Sequence, residues 1–331
     1  MSSDLLRRMK IFGKLSVHLN MIYTVTLNPG LDIVLWTEEL KEGIPNRATD
    51  DKTCIGGKGI GVSRALANLD IKSTAFGFVG GFAGDWLNKL LEEERNIKVD
   101  FTMIRGETRI NVTIYKKDSE KPIQINTSGP EINSRECDDL LHKIKGLSNP
   151  EIITVGGSLP KGLGPEIYRK IVEIAKEKNA KTILDIDGPS LKTCIIAKPN
   201  IIKPNIHELS EFVGYELKSM DEIIKAARNI YEYGIDIVLV SMDAKGMLMI
   251  ANGEEYLAEP PKIMVKNVLG TGDSSIAGFI YGMVNGKDLK ESLICAVAAG
   301  TAATLSNGKI LCQKKDFMKL IPQVKIKLIH A

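Results

Sequence analysis

Short apolar runs alternate along the chain with longer stretches whose apolar positions recur at helical spacing. Ile22–Leu27 alternates and stops at Asn28-Pro29-Gly30, a turn signal. Ser63–Leu69 has helical spacing, Thr74–Val79 predicts the next strand, and Trp86–Glu94 predicts an amphipathic helix. The same alternation continues through strand Ile152–Val155, helix Glu166–Glu177, strand Thr182–Asp185 and strand Ile201–Ile202. It ends with helix Ser219–Tyr233 and strand Ile237–Val240. Strands separated by helices of this length predict an α/β protein: a mostly parallel sheet with helices on both faces.

Two stretches break the rhythm. Asp32–Cys54 and Val99–Thr127 carry two-residue periodicity and turn residues, with no helix between their strands. Gly106–Tyr115 is the clearest case. Together they predict a small antiparallel sheet beside the main one, inserted at about 32–54 and 99–127 and placed to act as a lid. No internal repeat or low-complexity segment is visible.

Composition narrows the function classes. The chain has 331 residues, 44% of them apolar and 26% charged, with a formal charge of +3. That balance is ordinary for a globular domain and leaves no basic stripe for nucleic acid. Cys54, Cys137, Cys194, Cys295 and Cys312 are scattered and odd in number, which argues against zinc or a disulfide framework and fits a reducing cytoplasm. No apolar run reaches the ~18 residues of a spanning helix. Residues 1–20 carry Arg7, Arg8, Lys10 and Lys14 but no apolar h-region or cleavage site, so a poorly ordered extension is expected before a domain at 21–331.

The segment richest in chemistry is Asn267–Phe279, where Gly270, Thr271, Gly272 and Asp273 lead into a helical pattern. Glycines at a helix start can aim successive N–H groups at one anion, and the helix dipole adds to their pull. An Asp at that point can take a proton from an attacking hydroxyl. The same spacing also describes a plain helix N-cap. A second glycine-rich loop, Gly56-Gly57-Lys58-Gly59-Ile60-Gly61, also runs into a helix. It fits neither a dinucleotide fingerprint nor a Walker loop. Lys58 there reads either as a phosphate ligand or as a solvated lysine.

Ile22–Asp32, Gly56–Leu66, Gly156–Gly162, Ile202–Leu209 and Gly270–Phe279 occur in an order that resembles the phosphofructokinase-B branch of the ribokinase-like sugar kinases. The resemblance runs from Met21 to about Leu320. It is most similar to 1-phosphofructokinases and tagatose-6-phosphate kinases. It implies a ribokinase-like core with a small β-sheet lid, an ATP-dependent sugar-phosphate kinase, and Mg²⁺ as cofactor. It implies Asp273 as catalytic base, with Gly270, Thr271 and Gly272 supplying the anion hole. Lys203, Asn205, Ser241 and Gly246 are implied on the ATP side, with Val297, Gly300 and Thr301 bordering the adenine. Asn205 and Glu208 would organise Mg²⁺ through water, although the pair also reads as an N-cap and its N3 acid. On the sugar side it implies Asp32, Gly56, Gly57, Lys58, Arg109, Asn111 and Ser158. A homodimer through the lid is common among such relatives.

Three positions depart from the family pattern. Thr271 stands where Ala or Ser is usual, Asp243 replaces a glycine of the nucleotide-binding turn, and Gly61 replaces an Asn that normally contacts the sugar. Fructose 1-phosphate is the expected substrate. Tagatose 6-phosphate, or fructose 6-phosphate as in the minor 6-phosphofructokinase, remain open. A catalytically silent sugar-phosphate sensor is the reading from another class, and the intact Asp273, Lys203, Asn205 and Glu208 weigh against it.

Overall fold

A computed structural model of the chain describes residues 21–330 apart from 118, 120, 121, 187 and 307–309. The expected extension at 1–20 lies outside the described residues. From Met21 the chain enters β1 (Ile22–Thr26), turns into β2 (Gly30–Thr37), returns as β3 (Asp50–Gly56) and passes into α1 (Lys58–Asn68). Next come β4 (Ser73–Val79), α2 (Gly81–Glu92), the short β5 (Ile97–Val99) and β6 (Thr102–Met103), β7 (Arg109–Lys116), β8 (Ile123–Ile125) and α3 (Ser134–Lys145). Then follow β9 (Ile152–Gly157), α4 (Glu166–Glu177), β10 (Lys181–Ile186), α5 (Gly188–Cys194), β11 (Ile201–Ile202), α6 (Ile206–Val213) and α7 (Met220–Glu232). The last part holds β12 (Ile237–Ser241), β13 (Met247–Ala251), β14 (Glu254–Glu259), α8 (Thr271–Val284), α9 (Leu289–Ala303), α10 (Lys314–Leu320) and β15 (Lys325–His330).

Among the described residues one sheet has eleven strands, in the order β15-β14-β13-β12-β11-β10-β9-β1-β4-β5, with β6 also on β4. Pairing is parallel from β12 across to β5 and antiparallel from β12 outward to β15. The central strands are buried on both faces, which is why they read as near-continuous apolar runs. Successive residues serve opposite layers. Tyr23, Val25, Ile153, Val155 and Leu184 pack under α3, α4 and α7, whereas Ile22, Ile152 and Ile183 pack under α1, α8 and α9. Helices α3, α6, α7 and α9 each open with a capping box, so the start of each is written locally. No helix among the described residues is long and apolar enough to cross a membrane.

The smaller sheet has the order β3-β2-β7-β8. Its composition corrects two expectations. The strands β2 and β7 pair in parallel, Asp32 against Asn111, so the sheet is mixed rather than antiparallel. The start of the 99–127 stretch also belongs elsewhere, because Val99 and Thr102–Met103 pair with β4 of the main sheet. A short run of alternating residues cannot announce its partner, and here the edge of β4 takes it. Leu31 and Ile55 at the root of the small sheet pack with Ile60, Val79 and Leu87, tying it to α1, β4 and α2.

Candidate active site

The strand order reverses at β1, which has β4 on one side and β9 on the other. In open α/β sheets such a reversal leaves a crevice beyond the carboxyl ends of the strands. A cleft of about 1100 Å³ opens there. One wall comes from strand ends and the turns after them: Asn28, Gly157 and Ser158, Asp185, Lys203 and Asn205, and Ser241. The facing wall is the small sheet, which contributes Asp32, Val34, Asn111 and Thr113 from alternate positions of β2 and β7. Residues two apart share a strand face, so these side chains line the cleft together.

The floor is the start of α8. Gly270 is its N-cap with φ +79°, a left-handed conformation that a β-branched residue resists. Helix geometry leaves the N–H groups of Thr271, Gly272 and Asp273 without an acceptor one turn back, and all four residues line the cleft. The Thr271 side chain is occupied elsewhere, its Oγ1 donating to the Val268 carbonyl at 3.1 Å. A threonine therefore sits at this position without obstructing the amides. Asp273 is buried in the first turn of the same helix.

Beside this floor lies a cluster of four charges. Lys58 Nζ is 3.2 Å from both Asp185 Oδ1 and Glu208 Oε1, and Lys203 Nζ is 3.4 Å from Asp185 Oδ1. The side chains of Asp185 and Lys203 are each only 4% exposed. Burial works to raise the Asp185 carboxyl, but the Lys203 and Lys58 ammoniums outweigh it and hold the group below the usual carboxylate range. A Cβ on Gly272 would lie 3.5 Å from Lys203 Nζ and 3.9 Å from Asp185 Oδ2, so the cluster adjoins the start of α8. Asn205 and Glu208 do form the capping box of α6: Asn205 Oδ1 accepts from the Glu208 N–H at 2.8 Å, and Glu208 Oε2 accepts from the Asn205 N–H at 2.9 Å. The box leaves Glu208 Oε1 for Lys58. The pair forms the cap and also lines the cleft.

On the small sheet Asn111 Nδ2 donates to Asp32 Oδ1 at 2.8 Å, and Asn111 Oδ1 accepts from the Thr127 N–H at 3.1 Å. Arg109 Nη1 donates to the Thr127 carbonyl at 3.3 Å. Gly56 leaves room for this carboxylate, since a Cβ there would lie 2.8 Å from Asp32 Oδ1.

A helix start with a buried Asp, beside a charge cluster and a polar facing wall, is an arrangement suited to phosphoryl transfer to a hydroxyl. The family pattern described as pfkB family carbohydrate kinase matches residues 25–316. The chain belongs to that family. A 1-phosphofructokinase of Bacillus subtilis (strain 168) is 37% identical over 306 residues, 92% of this kinase and 99% of the relative. A D-tagatose-1-phosphate kinase of Bacillus licheniformis is 34% identical over 290 residues, 87% of this kinase and 94% of the relative. The crystal structure of phosphofructokinase-2 from Escherichia coli in complex with fructose-6-phosphate has a TM-score of 0.85. It is 30% identical, with 92% of this kinase and 98% of that chain covered.

Not every residue expected at the site reaches the kinase's cleft. Val297, Gly300 and Thr301 are buried in α9 and absent from its walls. A Cβ on Gly300 would lie 2.3 Å from Ser275 Oγ, so this small-residue face lets α9 press against α8. Gly56 and Gly246 act one layer back, shaping the turns whose neighbours line the cleft. Lys58, expected on a substrate phosphate, lines the cleft and there meets two carboxylates. Asp185 and Asn28 were missed. Asp185 had a signal, a lone carboxylate closing the apolar run Thr182–Leu184. Asn28 had only its place in a turn, yet its Nδ2 donates to the carbonyls of Ser128 at 3.1 Å and Leu159 at 3.3 Å, joining the two walls. Asp243 lines the cleft with φ +49°, so the position asks for the left-handed backbone that the family's glycine supplies.

Proposed function

We propose that this kinase transfers the γ-phosphoryl group of ATP to the free primary hydroxyl of a ketohexose 1-phosphate, fructose 1-phosphate foremost, giving the 1,6-bisphosphate. The observation that carries the reading is one cleft with two unlike ends. The α8 amides, Asp273 and the lysine–carboxylate cluster stand at one end, and Arg109, Asp32 and Asn111 stand on the facing sheet. The names of the relatives at 37% and 34% identity favour a ketohexose 1-phosphate. The tagatose name makes the tagatose epimer the second reading.

Asp32, held by Asn111, accepts sugar hydroxyls, and Arg109 suits a phosphate because a guanidinium binds it in bidentate fashion. With the small sheet closed over the sugar, water is excluded. Asp273 takes the proton as the hydroxyl oxygen bonds to the γ-phosphorus. The bond from that phosphorus to the β-phosphate oxygen breaks, and ADP leaves. The amides of Thr271, Gly272 and Asp273, with Lys203 beside them, stabilise the charge on the transferring group. The Asp185 and Glu208 carboxylates, two oxygen donors beside a phosphate hole, fit Mg²⁺ held jointly with phosphate oxygens and water. Bound there, Mg²⁺ would neutralise charge on the ATP phosphates.

The outward face of the small sheet carries Ile33, Leu35, Ile110, Val112, Ile114, Ile123 and Ile125. Of these Ile110, Ile123 and Ile125 are 40%, 46% and 54% exposed. Such a face supports a homodimer through this sheet, which size-exclusion chromatography of the parental protein and Ile125→Glu would test. The reaction itself is tested by ADP release from Mg-ATP with fructose 1-phosphate, tagatose 1-phosphate, tagatose 6-phosphate, fructose 6-phosphate and unphosphorylated sugars. Preference for a 1-phosphate is expected, and turnover confined to unphosphorylated sugars would overturn the assignment. Asp273→Asn should lower kcat by roughly 10²–10⁴-fold.

A further inference from the structure

Gly61, in the first turn of α1, faces the Asp273 carboxylate. A Cβ built on Gly61 would lie 2.0 Å from Asp273 Oδ2, 2.6 Å from its Cγ and 3.1 Å from its Cβ. The observed place of the carboxylate therefore exists only with glycine at 61. No left-handed backbone angle demands glycine there. The residue is helical, lacks the positive φ of Gly57 or Gly270, and has only the Asp273 side chain as its nearest contacts. Gly59 differs, since a Cβ on it would meet the Val25 carbonyl oxygen of β1 at 2.7 Å, a backbone atom that cannot yield. At Gly61 the obstacle is the mobile end of a side chain. The first turns of α1 and α8 converge on that carboxylate, and both helix ends favour an anion there.

We infer that Gly61 is a positioning residue for the base: its missing side chain lets the Asp273 carboxylate settle against α1 and so sets where it meets the acceptor hydroxyl. The inference rests on the reading of Asp273 as base and deepens it. A methyl group at 61 would leave α8 in place, packed as it is against α9, and swing the carboxylate into the cleft. Misplacing a reacting group by about 1 Å can cost on the order of 10²-fold in rate.

Gly61→Ala is the test, because alanine is favoured over glycine inside a helix and the variant should fold. The expected result is a kcat lower by about 10²-fold with KM for ATP and sugar phosphate little changed. An unchanged kcat overturns the inference. A second measurement places the same substitution in an Asp273→Ala background and compares Tm. With the carboxylate gone the approaches of 2.0 and 2.6 Å disappear and of the three only that to the Cβ of residue 273, at 3.1 Å, is left, so Gly61→Ala should raise Tm more there than in the parental protein. Equal Tm changes in the two backgrounds overturn the inference even where kcat has fallen. Full turnover by Asp273→Asn would instead remove the base reading, and the Tm comparison would still report whether Gly61 shapes the place of the carboxylate. An inactive Asp273→Asn beside a fully active Gly61→Ala would sink the positioning role alone.

Discussion

The two walls of the cleft are built in opposite ways. The wall from β9 to β12 sets its side chains at the ends of buried parallel strands, with Asp185 and Lys203 almost wholly enclosed and each carboxylate matched to an ammonium. The small-sheet wall is buried at its root and at cleft-facing Val34, Asn111 and Thr113. Beyond Leu31 and Ile55 its strands are mostly half-exposed, and β8 is exposed throughout. Enclosure makes the first wall a fixed template for charge that gains or loses little when ligands arrive. The second wall is less enclosed, and the hydrogen bonds of Asn111 and Arg109 keep its own face in order. Damage to the first wall should therefore register in folding as well as rate, and damage to the second in substrate affinity alone.

The largest effect is expected from Asp185→Ala, which strands Lys203 in a buried site. Loss of one member of a buried pair costs roughly 3–5 kcal/mol, so urea unfolding should show a large drop in midpoint together with loss of turnover. If stability were untouched, the contrast between the walls would collapse. Arg109→Lys should follow, raising KM for the sugar phosphate by about tenfold, since a hydrogen bond to a charged group contributes roughly 1.5–3 kcal/mol. Steady-state kinetics should find KM for ATP unchanged, and Tm should stay close to the parental value.

Acid sharpens the same contrast. The Asp185 carboxyl is held low in the folded protein, so its stabilising share is present above the unfolded-chain value of about 3.9. That share is lost as pH falls through the lower folded value. The difference in unfolding midpoint between the parental protein and Asp185→Asn should therefore be constant from about pH 8 to 5 and shrink only in stronger acid. The smallest effect is expected from Asp243→Gly. Releasing a left-handed aspartate should gain on the order of 1 kcal/mol at most, visible as a slight rise in Tm.

The first wall was largely legible in the sequence, because each part of it is written locally. Gly270–Asp273 announces both a left-handed cap and an acid, and Lys203–Glu208 announces a helix start. The apolar strand runs locate the ends where Ser158 and Ser241 stand. What stayed hidden depends on pairings that no window of sequence contains. Lys58 meets Asp185 and Glu208 from 127 and 150 residues away, so its partners follow from the order of strands rather than from its own loop. The parallel pairing of β2 with β7, and the capture of Val99 by β4, are hidden for the same reason. Val297, Gly300 and Thr301 show the converse: a run of small residues that suits a ligand also suits two helices in close contact, and at Gly300 that contact is with Ser275 of α8.

The parallel union of β2 and β7 also bears on how the molecule is made. Asp32 and Asn111 are 79 residues apart, and the chain between them leaves through β3, builds α1, β4 and α2, and only then returns. Strands so distant can zip together only after the intervening units have condensed, because the entropy of closing a long loop is met before any contact rewards it. Every strand of this sheet nevertheless leaves the ribosome before β9 exists to flank β1. The small-sheet side of the cleft is thus synthesised first, before the strands β9 to β12 that form the facing wall.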